Sequence, residues 1–387
     1  MAVDLVKLLS DMPDKKASDL HVRANMPPVY RIHGKLKPAA SAFITTDDLE
    51  QIVRRMLTDR QREKFDREWE LDLALDVPSG ARFRVCVYRE RGNPGIAFRL
   101  INSQVPDFES LHLPKVLSRL AMLPRGLILV TGVTGSGKST TLAAIIDYIN
   151  SHKGLNILTV EDPIEYMHSN NRCIIAQREI GTDCHDYAIG LRQALRQDPD
   201  VVLVGEIRDS ETMSIALSAA DTGHLVMSTL HTLDSLQTIY RILSFFPPHQ
   251  HQEIRHLLSS TLRAVVSQRL VPRSDKEGRL PATEILIGTG AVKDCIIDPD
   301  KTSGIRDLIS EGATQYGMQS YDQSLMWFYQ NKAISLDTAL DNATNPDDFR
   351  LRVEGIISGS DKGWTEFVQG QSDIDVESLQ KESGTNA

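Results

Sequence analysis

The run Gly132-Val-Thr-Gly-Ser-Gly-Lys-Ser139 has the spacing GxxxxGK[ST]. It follows the apolar stretch Gly126-Leu-Ile-Leu-Val130 and precedes a helical stretch from Thr140 to Tyr148. Strand, glycine-rich loop and helix in that order make a phosphate cradle. The glycines let backbone N–H groups curl around phosphate oxygens, and the helix start adds positive dipole. Lys138 is the group to reach the β and γ oxygens of a nucleoside triphosphate, and the Ser139 hydroxyl can ligate magnesium. The expected nucleotide contacts are therefore Gly132, Val133, Thr134, Gly135, Ser136, Gly137, Lys138, Ser139 and Thr140. A glycine-rich turn that binds nothing is the plainer reading, but the flanking strand and helix weigh against it.

Phosphoryl transfer also needs an acid near the metal, a group to orient the attacking water, and positive charge for the transition state. Val201-Val-Leu-Val-Gly-Glu206 reads as a buried strand ending in an acid, which would stand in the magnesium shell, through water. Leu158-Thr-Val-Glu-Asp-Pro-Ile-Glu165 is a second strand ending in acids. Glu161, Asp162 and Glu165 all leave that strand end, and strand geometry does not choose among them as the water-activating carboxylate. His224 and His231 bracket a third apolar run, Leu225–Leu230. Their seven-residue spacing puts the two rings on opposite faces of a strand, against a shared metal. A lone histidine is more often structural than catalytic.

These residues need elements to hold them. Short apolar runs at 126–130, 155–160, 201–204 and 224–227 alternate with helical stretches, which predicts an α/β unit with a mostly parallel, helix-covered sheet. Residues 1–101 read differently, as a small α+β domain. Val29–Leu36 is a strand-like run closed by a turn at Gly34, Leu49–Glu70 has helical periodicity, and Arg82–Tyr88 and Ile96–Ile101 flank the turn Gly92-Asn-Pro-Gly95 as a hairpin. Alternation on that hairpin sets Arg84 and Arg99 opposite Phe83, Val85 and Phe98. Residues 102–114 suit a linker, 115–357 the ATPase domain with C-terminal helices, and 358–387 an acidic mobile tail.

The 387 residues are 41% hydrophobic and 25% charged, which fits folded domains and makes neither disorder nor a fibrous architecture the default. A net charge of −9 argues against general nucleic-acid binding, and with it a nucleic-acid translocase. No apolar run approaches the ~20 residues that span a bilayer, so the protein is expected to be cytosolic. Cys86, Cys173, Cys184 and Cys295 show no zinc or disulfide spacing and are expected to be reduced and mostly buried.

Several segments together resemble the bacterial secretion-type ATPases, and within them the retraction motors of type IV pili, the PilT/PilU family. They are Ala17-Ser-Asp-Leu-His21, Pro27-Pro-Val-Tyr-Arg31 with Gly34, the P-loop GVTGSGKSTT, TVEDPIE at 159–165, DPDVVLVGEIRD at 198–209 and TGHLVMSTLHT at 222–232. The resemblance spans roughly residues 3–345. It implies a PAS-like N-terminal domain, a RecA-like P-loop ATPase domain, a homohexameric ring, and magnesium and ATP as ligands. It also implies an inner-membrane pilus platform protein as partner and a cytoplasmic position at the pilus base. By position, Glu165 is implied as the catalytic glutamate and Glu206 as the Walker B acid. His224 and His231 are implied as phosphate sensors or domain couplers, and Arg84 and Arg99 as arginines that reach the nucleotide.

The paired-CxxC zinc module of pilus-extension and type II secretion ATPases is not matched. At the place where PilT-like motors carry AIRNLIRE the chain has Gly304-Ile-Arg-Asp-Leu-Ile-Ser-Glu311, and residues 312–325 with the acidic tail are more similar to PilU. The expected role is a motor that drives retraction or assists a companion PilT-like motor. The alternative is an ATP-binding accessory subunit with little hydrolysis of its own.

Overall fold

The structure, a computed structural model, describes residues 4–39, 42–101 and 104–356. The tail expected at 358–387 lies outside the described residues. The chain divides into two compact units, Met1–Gln104 with Pro163–Met167, and Val105–Asp162 with His168 onward.

The first unit holds strands β1 (Ala17–Arg23), β2 (Val29–Ile32), β3 (Lys35–Pro38), β4 (Glu70–Asp76), β5 (Arg82–Glu90) and β6 (Asn93–Ile101). They form an antiparallel sheet of order β3-β2-β1-β6-β5-β4. Leu20, Val22, Phe83, Val85, Val87 and Phe98 turn to its core, joined by Leu49 and Val53 from a helix. The expected single helical stretch 49–70 is two helices, Thr46–Met56 and Asp59–Glu68, and Glu70 already belongs to β4. Thr58 makes the break: its hydroxyl caps Gln61 N while the Gln61 side chain returns to Thr58 N. The hairpin turn also differs from expectation. Glu90 pairs with Asn93, leaving Arg91 (φ 52°) and Gly92 (φ 82°) as a two-residue turn, because tight hairpins want two positive φ angles. Asn93, Pro94 and Gly95 are strand.

The second unit is built on β7 (Gly126–Thr131), β8 (Asn156–Glu161), β9 (Ile174–Glu179), β10 (Val201–Val204), β11 (Leu225–Leu230), β12 (Leu262–Pro272) and β13 (Arg279–Ile287). Their order is β13-β12-β7-β11-β10-β8-β9, with every pair parallel except β12 with β13. The mostly parallel sheet is therefore present. Its central strands are apolar throughout because both faces are covered: Leu127 and Leu129 enter one core, Ile128 and Val130 the other. β10 splits the same way, with Val202 and Val204 on one side and Val201 and Leu203 on the other. A further cluster of Val271, Leu280, Tyr321, Leu325, Phe328 and Phe349 joins the ends of β12 and β13 to the helices Tyr321–Gln330 and Pro346–Val353.

The four cysteines are free thiols. Cys173 alone is buried, whereas Cys86, Cys184 and Cys295 are partly exposed, so the expectation of mostly buried cysteines holds only for Cys173.

Candidate nucleotide site

The parallel register decides which loops meet. Thr131 pairs with Leu230, Ser228 with Val204, and Val204 with Val160. The carboxyl ends of β7, β11, β10 and β8 therefore line one edge, where α/β sheets bind ligands. The P-loop leaves β7 there, His231 leaves β11, Glu206 leaves β10, and Glu161 ends β8. Cross-links fix that edge: Gly132 N donates to Leu230 O at 3.3 Å, Gly205 N to Val160 O at 2.8 Å, and Thr229 Oγ1 to Gly205 O at 2.7 Å.

The loop has the shape of an anion cradle. Gly132 takes φ 141°, and a Cβ there would meet Gln268 O at 2.4 Å, so no other residue fits. The helix Lys138–His152 begins at Gly137 with no side-chain cap, which leaves its first N–H groups for a bound anion. Lys138, only 8% exposed, donates to Gly132 O at 2.9 Å and Val133 O at 3.0 Å from within the loop. Ser136 Oγ is buried with no hydrogen-bond partner. An ammonium folded onto its own loop and an orphaned hydroxyl fit a site made for phosphate, with Ser139 in the first turn of the helix.

Glu206 carries two partners. Arg208 donates to Oε1, and His231 Nε2 stands 3.2 Å from Oε2. Burial alone would raise this carboxyl, but the Arg208 bond and charge, with His231, hold it below its ordinary value. Tyr187 closes the side of the loop, where its hydroxyl would lie 3.0 Å from a Cβ on Gly205. Burial, then the charge of Glu206, pushes that phenol up. Glu161 is half-buried and accepts from Thr159 Oγ1 at 2.7 Å and Gln177 Nε2 at 3.1 Å. Glu165 is exposed and belongs to the short stretch Pro163–Met167 of the first unit.

In the first unit Arg84 and Arg99 are direct cross-strand partners, opposite the fully buried Phe83, Val85 and Phe98. Arg99 Nε donates to Asp19 Oδ1 at 2.8 Å, and Arg84 lies 3.8 Å from Asp72. Burial would raise Asp19, yet Arg99 and the Ser18 hydroxyl hold it low.

His224 lies at the other end of the strand from His231. It precedes β11 at the amino end, with Nδ1 3.0 Å from Ala219 O. Six strand residues at about 3.3 Å each put roughly 20 Å between it and the P-loop edge of its own chain. The sequence reading gave no role to Arg208, Tyr187 or Gln177. Arg208 could have been read as a partner two residues beyond Glu206, whereas Tyr187 and Gln177 carry no local signal.

The profile of the family described as type II/IV secretion system protein matches residues 2–315. The type IV pilus retraction ATPase PilT of Pseudomonas aeruginosa is 40% identical over 347 residues, 90% of this chain and 100% of that protein. The type IV pilus ATPase PilU of the same organism is 36% identical over 352 residues, 91% of this chain and 92% of that protein. A crystal structure of the pilus retraction motor PilT with bound ADP superposes with a TM-score of 0.82 at 37% identity, covering 89% of this chain and 98% of that one. A phosphate cradle, an acid and a histidine on one sheet edge, within a chain this similar to PilT and PilU, identify a secretion-type ATPase that belongs to the type II/IV secretion system protein family.

Proposed function

We propose that the protein binds magnesium ATP in the cradle Gly132–Thr140 and uses its hydrolysis, as a hexameric ring, to drive or assist retraction of a type IV pilus. The convergence of the P-loop, Glu206, His231 and Glu161 on one edge of parallel strands carries this reading. Lys138 turns from its loop carbonyls to the β and γ phosphate oxygens. Ser139 and, through water, Glu206 would hold the magnesium ion, whose charge offsets that developing on the phosphate oxygens. Glu165 orients the attacking water and accepts its proton as the oxygen–phosphorus bond forms and the bond to the ADP oxygen breaks. Glu161, fixed by Thr159 and Gln177, is the competing carboxylate for that role. His231 senses the γ-phosphate through Glu206. Arg84 and Arg99 supply positive charge to the transition state.

The antiparallel first unit is taken as PAS-like and the second as RecA-like. The partner is a pilus platform protein in the inner membrane, and the ring works on its cytoplasmic side. Among the described residues no helix is long and apolar enough to cross a membrane. A second reading, an accessory subunit beside a companion motor, is favoured by the PilU-like residues 312–325, although identity is slightly higher to PilT than to PilU. Phosphate release by the purified full chain, alone and with a companion PilT-like motor, separates the two. Turnover by the chain alone supports the motor, and turnover only with the companion supports the accessory role.

A further inference from the structure

The four residues between β11 and the helix Ser235–Ser244 include His231, and groups far along the chain tie them down. Ser235 N donates to Glu284 Oε1 at 2.7 Å, 49 residues away on β13. The Tyr321 hydroxyl, 88 residues away on the helix Tyr321–Gln330, donates to Leu233 O at 3.0 Å. Arg306 reaches Asp234 Oδ2 at 3.5 Å. The backbone on both sides of Asp234 is thus held by the C-terminal half of the unit.

Glu284 is an unfavourable choice for a strand position enclosed by core. A buried carboxyl is costly in the absence of compensation, and an apolar side chain of similar volume would pack at least as well there. Burial, with the charge of Asp234, pushes its proton affinity up, against the Ser235 bond and Arg269. Its strongest bond goes to the first N–H of a helix, a donor that solvent ordinarily satisfies. Tyr321 is similarly placed, with its ring under the Arg269 guanidinium at 4.0 Å and its hydroxyl given to the loop.

We propose that Glu284 and Tyr321 are positioning residues that hold the loop 231–235, and through it set the approach of His231 to Glu206. The inference rests on the reading of His231 and Glu206 as groups of the nucleotide site. It makes the C-terminal helices a lever on that site, because movement of Tyr321 is delivered to the backbone two residues from His231.

Steady-state ATP hydrolysis by the full chain tests it with Glu284→Leu, Glu284→Gln, Tyr321→Phe, His231→Ala and the double variant His231→Ala/Glu284→Leu. Displacing a site residue by about an ångström costs up to about a hundredfold in rate, so Glu284→Leu is expected to lower kcat by about tenfold or more with KM for ATP moved less than about threefold. Glu284→Gln keeps an oxygen for Ser235 N and should restore kcat to within about threefold of the parent, and Tyr321→Phe should cost about threefold to tenfold. In the His231→Ala background Glu284→Leu should add nothing, because the two act through one contact. A purely structural role would instead lower melting temperature and kcat together, leave Glu284→Gln as impaired as Glu284→Leu, and make the two losses multiply; that result overturns the proposal. If Glu284→Leu does not fold, Tyr321→Phe alone and with His231→Ala carries the same test, and normal kcat in Tyr321→Phe overturns it. Impaired His231→Ala beside normal Glu284→Leu removes the positioning role alone, whereas normal kcat in His231→Ala removes the underlying reading with it.

Discussion

His231 Nε2 lies 3.2 Å from Glu206 Oε2, which joins the loop after β11 to the loop after β10 at the edge where the P-loop begins. Arg208 occupies the other oxygen of the same carboxylate. Both oxygens of the acid are therefore engaged, and its proton affinity is held below the ordinary value.

Glu206→Gln should still bind nucleotide but lose hydrolysis by about a hundredfold, since the amide keeps the shape and gives up the charge. Nucleotide affinity by fluorescence titration, set beside phosphate release, reads both. Normal turnover would remove Glu206 from the site.

Glu165→Gln should bind nucleotide and lose turnover, because the amide cannot take the proton of the attacking water. Glu161→Gln should be milder, since Thr159 and Gln177 already use that carboxylate within the sheet. An inactive Glu161→Gln beside an active Glu165→Gln would exchange the two roles.

Removal of either guanidinium, Arg84→Ala or Arg99→Ala, should lower kcat by about tenfold or more while KM for ATP changes less. Lysine at either position should rescue poorly, as it brings charge without the planar fork. Equal losses in kcat/KM from KM alone would assign these arginines to binding.

His168 supplies a pH signature independent of catalysis. Burial lowers its pKa to about 4, and its Nδ1 is buried with no hydrogen-bond partner. The unfolded chain, near 6.5, then binds more protons than the folded one, so stability falls as pH drops below about 6.5 and levels off below about 4. At about 1.4 kcal/mol per unit the loss is on the order of 3 kcal/mol. His168→Phe should remove that slope in denaturant unfolding between about pH 7 and 4, and an unchanged slope would contradict the assignment.

The phosphate cradle was legible because its chemistry is contiguous: eight neighbouring residues carry glycines, lysine and serine between a strand and a helix. The alternation of Arg84 and Arg99 against Phe83 and Phe98 was legible for the same local reason. The break at Thr58 was written in a Thr-x-x-Gln capping box that helical periodicity overrode. Strands β12 and β13 escaped the reading because Ser267, Gln268, Thr283 and Glu284 interrupt their apolar pattern. Those groups are buried with partners that no local window contains, such as Thr131 for Ser267 and Ser235 for Glu284. Which of His224 and His231 stands at the P-loop edge depends on the direction of β11 beside β7, and that comes from the sheet rather than from local spacing.

The central claim, that hydrolysis depends on the cradle around Lys138, is tested most directly by phosphate release from the purified full chain beside its Lys138→Ala variant, at matched melting temperature. Loss of the ammonium from the β and γ oxygens should lower turnover by at least about a hundredfold while the sheet and helices stay intact. Turnover in Lys138→Ala close to that of the parent would contradict the account.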